Sequence, residues 1–219
     1  MTERHVTFRE GALHIEGHPQ AVKAVSLVAT GASDDVRYLT DLARSRQDLE
    51  HVFHVASRLL QDTDDPPIVR EALWRSAVVT LCLCFDNHKR SERRPLRVKT
   101  VYPNPQAREA LRYIQTLRDK DVAHDDGATI GADVCAVIGP DGGPEKVLEV
   151  TYLQARGVHS SPESVHNLRR LAGEGATWTA NEFDRVLEKI TNDLRGRPYE
   201  ELLRMPASRL EVKKDIPFR

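Results

Sequence analysis

The stretch PIVREALWRSAVVTLCLCF, residues 67 to 85, constrains the fold more than any other part of the chain. At 100° per residue, Val69, Leu73, Trp74, Ala77, Val78, Leu81 and Phe85 fall on one wide apolar face that persists for about five turns. Pro66 stands just before the stretch and Pro67 opens it, where a missing N–H costs nothing and the fixed φ starts a helix. A helix this apolar cannot stand in water alone, so it predicts a central, buried helix with others packed around it.

The flanking segments supply those neighbours. Ser33 is an N-cap candidate for a long first helix, in which Val36, Leu39, Leu42, Leu49, Val52, Phe53 and Leu59 recur with helical spacing. After the proline-bounded connection SERRPLRVKTVYPNP, Asn104 and Pro105 open a third helix, expected to run to about His124. Two further capped helices are expected after Ser161, the second starting at a Thr179–Glu182 capping box and stopping at Gly196.

Period-two alternation marks the β structure. VTFREGALHIEG predicts a short N-terminal hairpin or extended arm, and the Val/Ile/Tyr-rich runs on either side of GPDGGP predict a hairpin near residues 133–154. The expected fold is mainly α: a helical bundle with a β-hairpin insertion and a short N-terminal hairpin. Its divisions are an arm at 1–32, a helical domain at 33–205 and a tail at 206–219, the tail in part without fixed structure.

Composition narrows the function classes. The 219 residues are 40% hydrophobic and 30% charged with a formal net charge of -1, the balance of a globular protein, so any contact with nucleic acid must come from a local patch. The chain has no apolar run of the length a bilayer requires and no signal-peptide core at MTERHVTFRE, which sets the expectation of a cytoplasmic protein without membrane contact. Of three cysteines, Cys82 and Cys84 would point about 200° apart on a helix, which suits buried hydrophobes in a reducing compartment better than a chelate.

One segment, LRDKDVAHDD at 117–126, places an arginine and a histidine six positions apart. Spacing alone says little, because 24 arginines and nine histidines would yield about three such matches by chance; Arg9 with His14, and Arg44 and Arg46 with His51, share it. Helical phase says more. With Ala107 at zero, Arg118 falls near 20°, inside the stripe of Ala107, Ala110, Leu111, Ile114 and Leu117, while His124 lies at the stripe's edge if the helix stays regular. An arginine there needs an internal carboxylate such as Asp121, a wet cleft or a partner subunit. His124 has the ordinary role of a cation in a last helical turn, and it also has a pKa suited to proton transfer at neutral pH, as arginine has a charge suited to phosphate.

Two neighbouring features bear on the same question. From Asp86 to Lys99, six Lys/Arg oppose two acidic residues, a local charge of +4 that serves either solubility or phosphate attraction; Lys89, Arg90, Arg93 and Arg94, with Lys120 nearby, are the candidate RNA contacts. Against this, Asp119, Asp121, Asp125 and Asp126 put four negative charges around the arginine and histidine. Carboxylates one and two positions after a histidine do not converge on one ion within a helix, so no metal and no other cofactor is expected.

ALWRSAVVTLCLCF followed, one connection later, by LRDKDVAHDD resembles the HEPN superfamily, whose ribonuclease members carry Arg-x(4–6)-His, often with a polar residue directly after the arginine; Asp119 fills that place here. The likeness is to bacterial abortive-infection-like HEPN proteins and covers residues 33 to about 126. It implies a four- or five-helix bundle, a homodimer whose two motifs meet across the interface, and metal-independent RNA cleavage in a toxin or phage-defence setting with an antitoxin protein as a further partner. In that reading Arg118 and His124 are the catalytic pair and Asp119 orients one of them. The alternative the family offers is a non-cleaving RNA- or nucleotide-binding or dimeric interaction module.

Overall fold

The computed structural model describes residues 6–9, 12–15, 23–28, 33–61, 64–86, 93–119, 130–141, 145–156 and 161–207. In chain order these form β1 (Val6–Arg9), β2 (Ala12–Ile15), α1 (Asp34–Leu59), α2 (Pro67–Leu83), α3 (Val98–Val101), α4 (Pro105–Leu117), β3 (Ile130–Ile138), β4 (Val147–Arg156), α5 (Pro162–Arg195) and α6 (Tyr199–Arg204). The described residues are mainly helical, with two antiparallel two-stranded hairpins, β1–β2 and β3–β4. No helix among them is long and apolar enough to cross a membrane. The chain divides into two compact units, Ser45–Thr177 and Met1–Arg44 with Trp178–Arg219, and the expected domain at 33–205 draws on both.

The larger unit is built around α2. Trp74, Ala77, Val78, Leu81 and Cys82 are buried there, as the wide apolar face of the sequence requires. From α1 come Leu49, Val52, Ala56 and Leu59, from α4 Ala107, Leu111, Ile114 and Leu117, and from the first half of α5 Val165, Leu168, Leu171 and Ala172, all buried. Each fully buried Leu or Ile side chain contributes about 1.5–3 kcal/mol. Tyr102, between α3 and α4, is 1% exposed and donates its hydroxyl to the Leu171 carbonyl at 2.8 Å, and burial pushes its ionisation well above the ordinary range.

Helix starts follow the sequence closely. Ser33 Oγ accepts from the Val36 N–H at 3.4 Å, Asn104 Oδ1 accepts from the Gln106 N–H at 2.9 Å with Pro105 next to it, and Ser161 Oγ accepts from the Ser164 N–H at 3.2 Å. The proline-bounded connection holds a feature the pattern did not reveal, the single-turn α3.

One expectation is corrected. The two helices expected after Ser161 are one, α5, 34 residues long, running unbroken through AGEGAT. Gly173 and Gly175 do not stop it, and at Gly175 the missing side chain lets α5 approach its neighbours closely. A Cβ on Gly173 would stand 3.4 Å from the Phe53 ring, and one on Gly175 would stand 3.0 Å from the Tyr102 hydroxyl and 3.2 Å from Leu49. Thr179 is therefore no cap: it is fully buried within α5, and Glu182, its expected capping partner, instead accepts from Tyr38 at 3.3 Å and pairs with Arg185 at 2.8 Å. The described part of α4 is regular to Leu117, and the stretch from 120 to His124 expected to continue it lies outside the described residues.

The smaller unit gathers Leu42 of α1 with Phe183, Val186 and Ile190 of α5. Lys189 of α5 reaches Asp35 of α1 at 2.6 Å. Lys23 donates to the carbonyls of Leu203 and Met205, each at 2.7 Å, beside a bridge between Val25 and Ala207. Of the expected tail, Pro206 and Ala207 are thus tied down, and residues 208–219 lie outside the described residues.

Candidate functional site

The carboxyl end of α2 is where the larger unit collects charge. Helix dipoles make such an end negative, which favours cations beside it, and two half-buried arginines lie there, Arg118 from the end of α4 and Arg93 from the connection after α2.

Arg118 follows directly on the last regular turn of α4. Its N–H still bonds back to Ile114 and Gln115, but at Arg118 and Asp119 the winding widens to a π-type turn, a departure common where helices carry function. The widening changes what a regular helix would have done with the side chain. Arg118 is 19% exposed, as its place in the apolar stripe implies, and its guanidinium pairs with the Asp86 carboxylate and with Asp119 Oδ1, the latter through Nε at 2.8 Å and Nη2 at 2.7 Å. Gln115, one turn earlier on α4, donates to the other Asp86 oxygen at 3.4 Å. One positive charge therefore faces two negative ones.

Asp86 and Gln115 are the members of this cluster that sequence reasoning missed. Asp86 was counted with the basic connection, yet it stands four residues after Cys82, the spacing that brings side chains onto one helix face. Asp121, the partner expected for Arg118, lies outside the described residues, as do His124, Asp125, Asp126 and Lys120.

Arg93 makes a parallel arrangement. Its guanidinium, 17% exposed, donates to Asp48 Oδ2 at 2.6 Å, to the buried Ser45 hydroxyl at 2.6 Å and to Cys84 Sγ at 3.8 Å. It thereby fastens the basic connection onto α1. Arg94 is exposed, as are Arg97 and Lys99, while Lys89 and Arg90 lie outside the described residues.

Between the two arginines sit the thiols. Burial pushes Cys82 up to about 11 and Cys84 up to about 12, against the smaller opposing pull of Arg118 and Arg93 respectively. Neither is a nucleophile at neutral pH. Among the described residues no group of three or more His, Cys, Asp or Glu could hold a metal ion.

In comparisons with protein-family models, curated proteins and solved structures, none matches the chain.

Proposed function

We propose that the chain is a metal-independent endoribonuclease of the HEPN kind, dimeric and acting inside the cell in a toxin or phage-defence role, with Arg118 and His124 as its catalytic pair. The observation that carries this reading is the grip of Asp119 on Arg118 through Nε and Nη2. An arginine that must stabilise charge on a phosphorane works best when its plane is fixed beforehand, and the residue directly after the arginine is the one the resemblance assigns to that task. In the reaction the RNA 2′-hydroxyl attacks the adjacent phosphorus, the bond to the 5′-oxygen breaks, and His124 takes or gives the proton. RNA would have to displace Asp86 from Arg118 to reach the guanidinium, drawn in by the exposed Arg94, Arg97 and Lys99.

A second reading rests on the same cluster. Two carboxylates on one guanidinium is also how a protein holds an arginine for structural reasons, and this favours a non-catalytic RNA- or nucleotide-binding module. The two separate in one experiment: purified wild type, His124→Ala and Arg118→Lys are incubated with total RNA in EDTA. The nuclease reading expects cleavage by wild type and loss of at least about a hundredfold in both variants. Intact RNA with wild type, together with a band shift on RNA, moves the assignment to the binding module. Undiminished cleavage by His124→Ala removes the histidine from the mechanism.

A further inference from the structure

The Asp86 carboxylate is badly placed for its own helix. Its N–H bonds back to the Cys82 carbonyl at 3.0 Å, just past the end of α2, where a negative charge meets the negative pole of the helix dipole. The groups that hold the carboxylate come from the end of α4: Arg118 Nη1 pairs with Oδ2, and Gln115 Nε2 donates to Oδ1 at 3.4 Å. Asp119 takes the other edge of the same guanidinium through Nε and Nη2, so one positive charge serves two carboxylates. Arg118 and Gln115 thus present converging donors to the two oxygens of one small anion, the arrangement that suits the non-bridging oxygens of a phosphodiester. Arg118 and Asp86 are half-buried rather than sealed.

We infer that Asp86 is a built-in plug: its carboxylate occupies the place on Arg118 and Gln115 that an RNA phosphate takes, and the site is closed until RNA exchanges one anion for the other. This rests on the RNA reading above and adds to it Gln115 as a second phosphate contact and Asp86 as an autoinhibitory group. A carboxylate and a phosphodiester each carry one negative charge, so the exchange leaves the charge beside Arg118 unchanged, while Asp119 keeps the guanidinium plane fixed. The released Asp86 regains water and escapes the adverse end of the dipole. A plug seated in about nine-tenths of the molecules lowers the apparent affinity for RNA about tenfold.

Binding is measured apart from cleavage, by fluorescence anisotropy with a short labelled 2′-O-methyl RNA that has no free 2′-hydroxyl to attack its phosphates. Asp86→Asn keeps the shape of the side chain and its acceptor for Gln115, and should bind about tenfold tighter than wild type. Glu109→Gln removes the same charge from the exposed face of α4, about 180° round the helix from Arg118, and should stay within about twofold of wild type. Adding Arg118→Ala to Asp86→Asn should abolish the gain. Asp86→Ser, shorter and still an acceptor, is measured alongside, with far-UV dichroism on every variant, so that a misfolded amide variant does not decide the result. Unmodified RNA of the same sequence, incubated in EDTA with the same proteins, reports on cleavage. No tightening in either Asp86 variant, or equal tightening in Glu109→Gln, overturns the plug even where unmodified RNA is cut. Tightening without cleavage by any of the proteins overturns the nuclease reading and leaves the plug standing on an RNA-binding module.

Discussion

At the scale of single residues, what the sequence reveals is whether a side chain is buried, and what it conceals is the partner. Phase alone put Arg118 inside an apolar stripe, and it is indeed largely buried, but its partners are Asp86 and Asp119 because the backbone widens at the end of α4. Asp86 lies just past the end of α2, far from Arg118 in sequence, and no local rule names a contact of that range. Arg93 shows the converse: a basic run looks uniformly solvated, yet one of its members is drawn inward by Asp48 and Ser45. The pairing of Arg118 has a measurable consequence. Asp86, 16% exposed, shields a guanidinium that is itself little exposed, so Asp86→Ala should destabilise the fold by about 2 kcal/mol in urea titration. Arg197→Ala, which breaks pairs at 40% exposure, should cost clearly less, because solvent screens them. Equal costs would mean that the Asp86–Arg118 pair is as solvated as a surface bridge.

At the scale of elements, the central part of α2 is legible because a wide apolar face admits one interpretation, though Val69 at its start is 40% exposed, and the starts of α1 and α4 are legible because their caps are local. The continuity of α5 is not. Gly-x-Gly reads as a break when the helix is considered alone, since each glycine costs about 1 kcal/mol relative to alanine in a helix, and only the tertiary neighbours show why the cost is accepted. This gives a test with a defined sign. Gly175→Ala gains helix propensity but places a methyl 3.0 Å from the Tyr102 hydroxyl, tighter than ordinary contact. Tyr102→Phe removes that oxygen and also its bond to Leu171, at about 1 kcal/mol. The alanine should therefore be more favourable in the Tyr102→Phe background than in wild type, with a coupling of at least about 0.5 kcal/mol in a double-mutant cycle. Additive effects would show that α5 can shift to admit the methyl.

At the scale of the whole molecule, ionisable groups in both units bound the pH range in which the chain is stable. In one unit, the hydrogen bond from Arg185, aided by Tyr38, holds the Glu182 carboxyl below its ordinary value despite opposing desolvation. A depressed carboxylate contributes stability that is present above the unfolded value of 4.5 and is lost as pH falls through the lower, folded value. Glu182→Gln should accordingly flatten the acid limb of the stability profile. In the other unit the sign is reversed. Cys82 is raised from 9.0 to about 11 by burial, so its contribution is complete below 9 and declines as pH rises toward 11, because the unfolded chain ionises a thiol that the folded chain must keep protonated. Cys84 extends the same effect toward 12. Each buried thiol can steepen the alkaline limb by at most about 1.4 kcal/mol per pH unit. Urea titrations between pH 8 and pH 11 should show stability falling faster in wild type than in Cys82→Ala, whatever the variant loses in packing at neutral pH, because the slope reports protons and the offset reports contacts. Parallel slopes would mean that Cys82 ionises as readily folded as unfolded, and would place it in contact with water at the foot of Arg118.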